Sequence, residues 1–234
     1  MIDGRVAVLV GIGPNLPPVL DRMCLDNLGR MKEACPEVEL FVDRRVVSGT
    51  LDDHLPRLGP LSRSRNMMVD SFVDLNRHSH VLMIDADVIQ YPPTLPRLLA
   101  EHAGCVAGTT TLLEGRPGRW FDTAGYLEMA GGRLRRARAL WPHFAQPGPI
   151  IELESVGMLY MMPSDVFRHG RYSAPPDNVG AKGTDHYSIC QHAKGMGYRV
   201  IADLRVVAVH ALWKKYGGRQ RARFKRNTGQ PDPS

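Results

Sequence analysis

An α/β fold, with a mostly parallel central sheet and helices on both faces, follows from three features of this chain. Short aliphatic runs alternate with longer segments of helical periodicity, the order that parallel strands joined by helical crossovers produce. Capping and chain-breaking residues stand at the joints between them. Polar and acidic residues fall just past the carboxyl ends of the apolar runs, where open α/β sheets place their ligands.

Arg5 to Val10 reads as a first buried strand, followed by the turn Gly11-Ile12-Gly13-Pro14-Asn15. Asn15 can cap a helix with proline in its first turn, running to about Ala34. Val38 to Val42 is a second strand, with Asp43 at its carboxyl end. Residues 48–61 are polar and broken by proline and glycine, as a loop would be. The serines of Ser62-Arg63-Ser64-Arg65-Asn66 can then cap a helix with Met68, Phe72 and Leu75 on one face. His80 to Ile84 is a third strand, ending in Asp85-Ala86-Asp87. Alternation along an extended backbone would turn both carboxylates to one side, toward a single cation. Tyr91-Pro92-Pro93 stops this strand and opens a helix from Thr94 to Glu101, and a fourth strand runs from Cys105 to Thr109.

The second half has shorter elements. Tyr126 to Ala130 and Arg133 to Ala137 flank Gly131-Gly132, a two-residue signal for a small antiparallel hairpin whose arginines read as a solvated face, with an anion site as the alternative. Ser155 to Met162 is an apolar strand carrying Gly157, and Ser164-Asp165 caps a short helix. Thr184 caps another helix to about Lys194, ended by Gly195 and Gly197. Arg199 to Asp203 and Val206 to Val209 are the last strands, and the final one delivers His210.

With 234 residues, 43% of them hydrophobic, one sizeable core is expected over residues 1–210. No apolar run is long enough to span a membrane, and Met1 to Val6 enters a strand with no signal-peptide pattern, so a cytoplasmic protein is expected. Cys24, Cys35, Cys105 and Cys190 are widely spaced, as buried thiols in a reducing compartment would be. The net charge of +6 is confined to residues 211–234, where Lys214, Lys215, Arg219, Arg221, Arg223, Lys225 and Arg226 face Asp232 alone. Residues 211–234 therefore read as a basic tail or lid, mobile until something anionic meets it.

Three polar sets fall at strand or helix ends: Asp85 with Asp87, Gly183-Thr184-Asp185-His186, and His210. Carboxylates with one imidazole suit Mn²⁺, or Mg²⁺ with water in the remaining positions. Such a cation would neutralise charge on a diphosphate leaving group, and Lys214 and Lys215 follow His210 closely enough to fold over it. The turn after the first strand lacks the third glycine of a dinucleotide fingerprint, since position 16 is Leu16, and no P-loop is present.

With Asp43 ending the second strand, Ser64-Arg65-Asn66 opening a helix, and Leu82-Met83-Ile84-Asp85-Ala86-Asp87-Val88 following, residues 5–212 resemble a GT-A (Rossmann-like) glycosyltransferase domain. Within that class the pattern is similar to fungal mannan-polymerase-type mannosyltransferases. The resemblance implies a UDP- or GDP-linked nucleotide-sugar donor and a Mn²⁺ or Mg²⁺ cofactor. It implies that Asp87 contacts the metal, that His210 completes the site, and that Asp85 holds the donor's ribose or sugar, or the metal through water. Gly11 and Asp43 would border the nucleotide, and Arg65 would approach the donor. Asp185 would be the catalytic base of an inverting transfer or would orient the acceptor in a retaining one. A carboxylate placed to favour a helix N-terminus is the plainer reading of Asp185.

The basic tail suggests a nucleic-acid acceptor, a hydroxylated base in DNA as for some viral glycosyltransferases; a glycan, lipid or small-molecule acceptor is the alternative. A sugar-phosphate nucleotidyltransferase would carry a basic glycine-rich turn after the first strand, and the turn at Gly11 has no lysine or arginine. A non-catalytic nucleic-acid-binding protein would leave Asp85, Asp87, Asp185 and His210 without a task.

Overall fold

A computed structural model describes residues 5–13, 16–44, 58–115, 126–131, 133–136, 150–173, 185–211 and 215. The elements in chain order are β1 (Arg5–Gly11), α1 (Pro18–Ala34), β2 (Val38–Asp43), α2 (Leu58–Phe72), β3 (His78–Asp85), β4 (Val88–Gln90), α3 (Thr94–His102) and β5 (Cys105–Leu113). There follow β6 (Leu127–Ala130), β7 (Arg133–Arg136), β8 (Ile150–Glu152), β9 (Leu159–Pro163), a 3₁₀ turn (Ser164–Arg168), α4 (His186–Gly195) and β10 (Arg199–His210).

The main sheet has the order β2-β1-β3-β9-β5-β10-β4, with β8 also on β10. β1 runs parallel to β2 and β3, β10 runs parallel to β5, and β9 lies antiparallel between β3 and β5. Five strands therefore share one direction, and the expected mostly parallel α/β sheet is present. β6 and β7 form a separate hairpin closed at Gly131, whose φ of 57° lies in the left-handed region that glycine enters without penalty.

Strand alternation sorts the core into two layers. Ala7, Leu9, Val81 and Met83 pack with Met68 and Val69 of α2 and with Ile189, Cys190 and Ala193 of α4. Val6, Val8, Val10, Leu82 and Ile84 pack on the opposite face with Cys24, Leu28 and Met31 of α1 and with Leu95 and Leu98 of α3. Burial on both faces explains why β1 and β3 read as unbroken apolar runs. Cys24, Cys35 and Cys190 are buried free thiols, whereas Cys105 is half-buried.

Several boundaries differ from the sequence expectation. α2 starts at Leu58, four residues before the proposed serine cap, because Pro60 fits a first helical turn, where a missing N–H costs nothing. β3 ends at Asp85; Ala86 and Asp87 form a turn and the chain reverses into β4, so Asp87 is not strand-alternate with Asp85. The final strand is one element of 12 residues with a bulge between Asp203 and Val207. Ser155 joins the pairing only through an isolated bridge to Leu127, and β9 begins at Leu159. Asn15, Thr184, Gly183 and Lys214 lie outside the described residues.

Candidate active site

From β1 the chain pairs outward to β2 and then crosses back to β3 on the other side of β1. The crevice at the carboxyl ends of β1 and β3 is thus a topological switch point, the place where such sheets receive ligands. Gly11 is in register with Asp43 on one neighbour and Asp85 on the other, so the three occupy one rung across strands roughly 4.8 Å apart. A Cβ at Gly11 would meet only the Met68 methyl and sulfur at 3.5 and 3.6 Å, so the rung is low at its centre. Asp43 is buried, and its carbonyl accepts from the Ile12 N–H at 2.8 Å, closing the turn after β1.

Asp87 and His210 meet because β4 doubles back along β10. The register that pairs His210 with Val88 sets Asp87 beside it, and His210 Nε2 lies 3.1 Å from Asp87 Oδ2. The Ala211 N–H donates to the Asp87 carbonyl at 2.8 Å, and the Glu114 N–H donates to the His210 carbonyl at 3.0 Å. Backbone bonds therefore hold both partners. A carboxylate and an imidazole this close offer one oxygen and one nitrogen donor, which fits a Mn²⁺ or Mg²⁺ ion completing its shell with phosphate oxygens and water.

Asp85 is engaged elsewhere. Arg65 Nη2 donates to Asp85 Oδ1 at 3.0 Å, and Arg65 Nε lies 3.0 Å from Asp185 Oδ2, off the hydrogen-bonding angle, as an ion contact. One guanidinium from α2 thus spans the end of β3 and the start of α4. The Arg65 and Asp185 side chains are 7% and 2% exposed, while 31% of Asp85 opens to solvent. Burial alone would lower the Arg65 pKa, but Asp185 and Asp85 outweigh it and hold the guanidinium firmly charged. Although its edge reaches solvent, Asp85 is packed closely enough that burial raises its carboxyl above the usual range, with Arg65 opposing.

Behind Arg65 lies a polar network of His186, Tyr160, Tyr172 and Asn66, of which Asn66 and His186 stand in polar runs of the sequence. His186 Nε2 is 3.3 Å from Arg65 Nη2, and His186 Nδ1 is 3.2 Å from the Tyr160 hydroxyl, itself 2.7 Å from the Tyr172 hydroxyl. Asn66 exchanges two hydrogen bonds with the Tyr172 backbone, each 2.9 Å, and so ties α2 to the segment before α4. His186 stands in the quoted Gly-Thr-Asp-His run, but Tyr160 sits in an apolar strand with no sequence signal of a partner.

Among the described residues, the group of acidic and imidazole side chains with ligand atoms within 4.8 Å of one another is Glu101, His102 and Asp203, away from the crevice. Arg205 already fills that group: its Nε donates to Asp203 Oδ1 at 2.9 Å, its Nη2 to Asp203 Oδ2 at 2.7 Å, and it also pairs with Glu101. The cluster pins the β10 bulge. In the tail, Lys215 pairs with Glu114, at the end of β5.

No protein-family model matches the chain, and no curated protein matches it. Solved structures of similar fold include A197 from STIV, with a TM-score of 0.46, 15% identity, and coverage of 89% of this chain and 86% of that one. S. aureus TarS 1-349 aligns at a TM-score of 0.48 and 11% identity over 91% of this chain and 62% of that one. GalNAc-T7 with UDP, GalNAc and Mn²⁺ aligns at 0.46 and 12% over 89% of this chain and 43% of that one.

Proposed function

We propose that this protein is a glycosyltransferase that moves a sugar from a UDP- or GDP-linked nucleotide-sugar donor to a hydroxyl acceptor, with Mn²⁺ or Mg²⁺ as cofactor. The observation that carries the reading is the Asp87–His210 pair, 3.1 Å apart at the mouth of a switch-point crevice floored by Gly11. A bound cation would supply neutralisation of the charge that develops on the diphosphate as it leaves. Asp87 and His210 would hold that cation through one carboxylate oxygen and one imidazole nitrogen. Asp85 sits one turn away, placed to bind the donor's sugar or ribose, and Asp43 borders the base. Arg65 keeps Asp85 oriented on the donor side. On the acceptor side Asp185 is assigned as general base in an inverting transfer, a role that contributes roughly 10²–10⁴-fold, or as the orienting group in a retaining one. Lys214 and Lys215 are assigned to the diphosphate, and Lys215 pairs with Glu114 at the end of β5.

A thermal-shift panel of UDP- and GDP-sugars with and without Mn²⁺ tests the donor. A ligand at about 100 times its dissociation constant stabilises by ~2.7 kcal/mol, roughly 5–10 °C for a chain of this size. Asp87→Ala abolishes the Mn²⁺-dependent part of that shift and the turnover while leaving far-ultraviolet circular dichroism unchanged; unaltered turnover would sink the assignment. For the acceptor, the seven cationic residues after Ala211 support a polyanion such as nucleic acid, where a hydroxylated base would supply the acceptor hydroxyl. Binding to DNA then weakens steeply between low and moderate salt. A flat salt profile leaves a glycan, lipid or small molecule as acceptor.

A further inference from the structure

We propose that His186 is a positioning residue whose unprotonated Nε2 accepts a hydrogen bond from Arg65 and so holds one guanidinium across the donor-side Asp85 and the acceptor-side Asp185. The inference deepens the transfer reading above and rests on it for its kinetic consequences.

Hydrogen-bond polarity fixes the assignment. Every nitrogen of a guanidinium is a donor, so the His186 Nε2 atom 3.3 Å from Arg65 Nη2 must present its lone pair. The proton of a neutral ring then lies on Nδ1, which donates to the Tyr160 hydroxyl at 3.2 Å. Tyr160 and Tyr172 share a further bond at 2.7 Å, and both rings meet the imidazole edge-on, at centroid separations of 5.2 and 6.4 Å. The Asp185 Oδ1 atom, 3.8 Å from His186 Nε2, lies beyond hydrogen-bond reach, so the Arg65 contact is the nearer one at that nitrogen. Burial lowers the His186 pKa and the Arg65 charge lowers it further, which together outweigh Asp185 and Asp85, whose carboxylates favour the charged ring. Nη2 is shared between His186 and Asp85 while Nε faces Asp185, so the imidazole sets the roll of the guanidinium about its stem. Without it, Arg65 keeps both charges within reach but loses the orientation that serves them together.

Two variants separate this role from simple packing. In His186→Gln the side-chain carbonyl can reach the Nε2 position and accept from Arg65; in His186→Leu nothing can. The first arm needs no substrate. Long-range ¹H–¹⁵N spectra of the histidine-labelled protein at pH 8, with the His186 signal identified by its loss in His186→Gln, should show the Nδ1–H tautomer. An Nε2–H tautomer overturns the proposal. The second arm uses the nucleotide sugar that the thermal-shift panel identifies, with transfer to water serving where no other acceptor is in hand. His186→Leu should lower kcat for transfer by about 10- to 100-fold, the worth of one hydrogen bond to a charged group, with KM for the donor changed much less. His186→Gln should recover most of that loss. Equal kcat in His186→Leu and wild type, or no recovery in His186→Gln, refutes the positioning role. If no nucleotide sugar stabilises the wild-type protein, the glycosyltransferase reading fails by itself, and the tautomer arm still decides the Arg65–His186 polarity.

Discussion

Replacing Arg65 by methionine keeps the aliphatic stem and removes the charge that joins α2, β3 and α4 at the crevice. Asp185 would then be a carboxylate 2% exposed with its Arg65 contact gone. Deleting one partner of a buried ion pair costs ~3–5 kcal/mol, because the survivor keeps its desolvation penalty without the attraction that offset it. Asp85 adds little, since the 31% of its side chain open to water lets solvent take over. The expected loss from Arg65→Met is therefore about 3–5 kcal/mol at pH 7 by urea denaturation, with the m-value unchanged. The deficit depends on pH in a definite direction. In the variant, burial without a cation raises the folded-state pKa of Asp185, so the folded form takes up a proton as pH falls and the penalty disappears. The gap from wild type should shrink from pH 7 toward pH 4. A double variant, Arg65→Met with Asp185→Leu, should recover most of the stability, as apolar replacements of whole buried pairs generally do. A loss below about 1 kcal/mol, or a gap constant between pH 7 and pH 4, would refute the view that Arg65 neutralises a buried Asp185.

The other expectations concern how the fold holds the site. Burial would raise the Asp203 carboxyl, but hydrogen bonds from Arg205 and His102 outweigh it and bring it down to about 2 from 3.8. By linkage, Asp203 contributes about 2 kcal/mol that is fully present above pH 4 and is lost as pH falls through 2. Asp203→Asn should show that loss at pH 7, and the difference from wild type should narrow below pH 4; a pH-independent difference would contradict the ion-pair account. Gly170 has no room for a side chain, since an added Cβ would lie 2.6 Å from the Val166 carbonyl oxygen, 2.5 Å from the His192 ring and 2.7 Å from Ile189. Gly170→Ala should therefore lower stability by about 1–3 kcal/mol, measured by thermal melting.

The first half of the fold was legible because its strands are buried on both faces and its helices are long enough to show a period. Val81 to Ile84 is apolar at every position, and it lies between two helix-covered layers. The four-residue strands of the β6–β7 hairpin were legible from Gly131-Gly132, but β4 was not: it has three residues, Val88–Gln90, and its antiparallel pairing with β10 depends on contacts more than 100 positions apart. That reversal decides the site. Local alternation put Asp85 and Asp87 on one face of a strand, whereas the turn at Ala86 sends Asp87 to His210 and leaves Asp85 to Arg65. The residue types at the site could be read from the sequence, but their pairing could not, because Arg65, Asp185 and His186 meet only after α2 and α4 pack on the same layer.

The antiparallel strand β9 shows what holds Asp85 in its place. Its N-terminal neighbour Met158 adopts φ 63°, the only positive φ at a non-glycine among the described residues, although Gly157 stands next to it. A left-handed conformation costs an L-residue roughly 1–2 kcal/mol. Two features offset this cost. The Met158 carbonyl accepts the Asp85 N–H at 2.9 Å, fixing the last residue of β3 where the strand would otherwise fray. The Met158 side chain is buried in the same cluster as Ile12, Ile84 and Val88, the apolar residues around the Asp85–Asp87 turn. Glycine at 158 would relieve the backbone but lose that anchor, and a β-branched residue would keep the anchor but resist the conformation. Methionine is unbranched and flexible, so it meets both demands. Backbone strain of this kind persists where surrounding contacts over-determine it, and here they converge on the carboxylate that borders the proposed donor site.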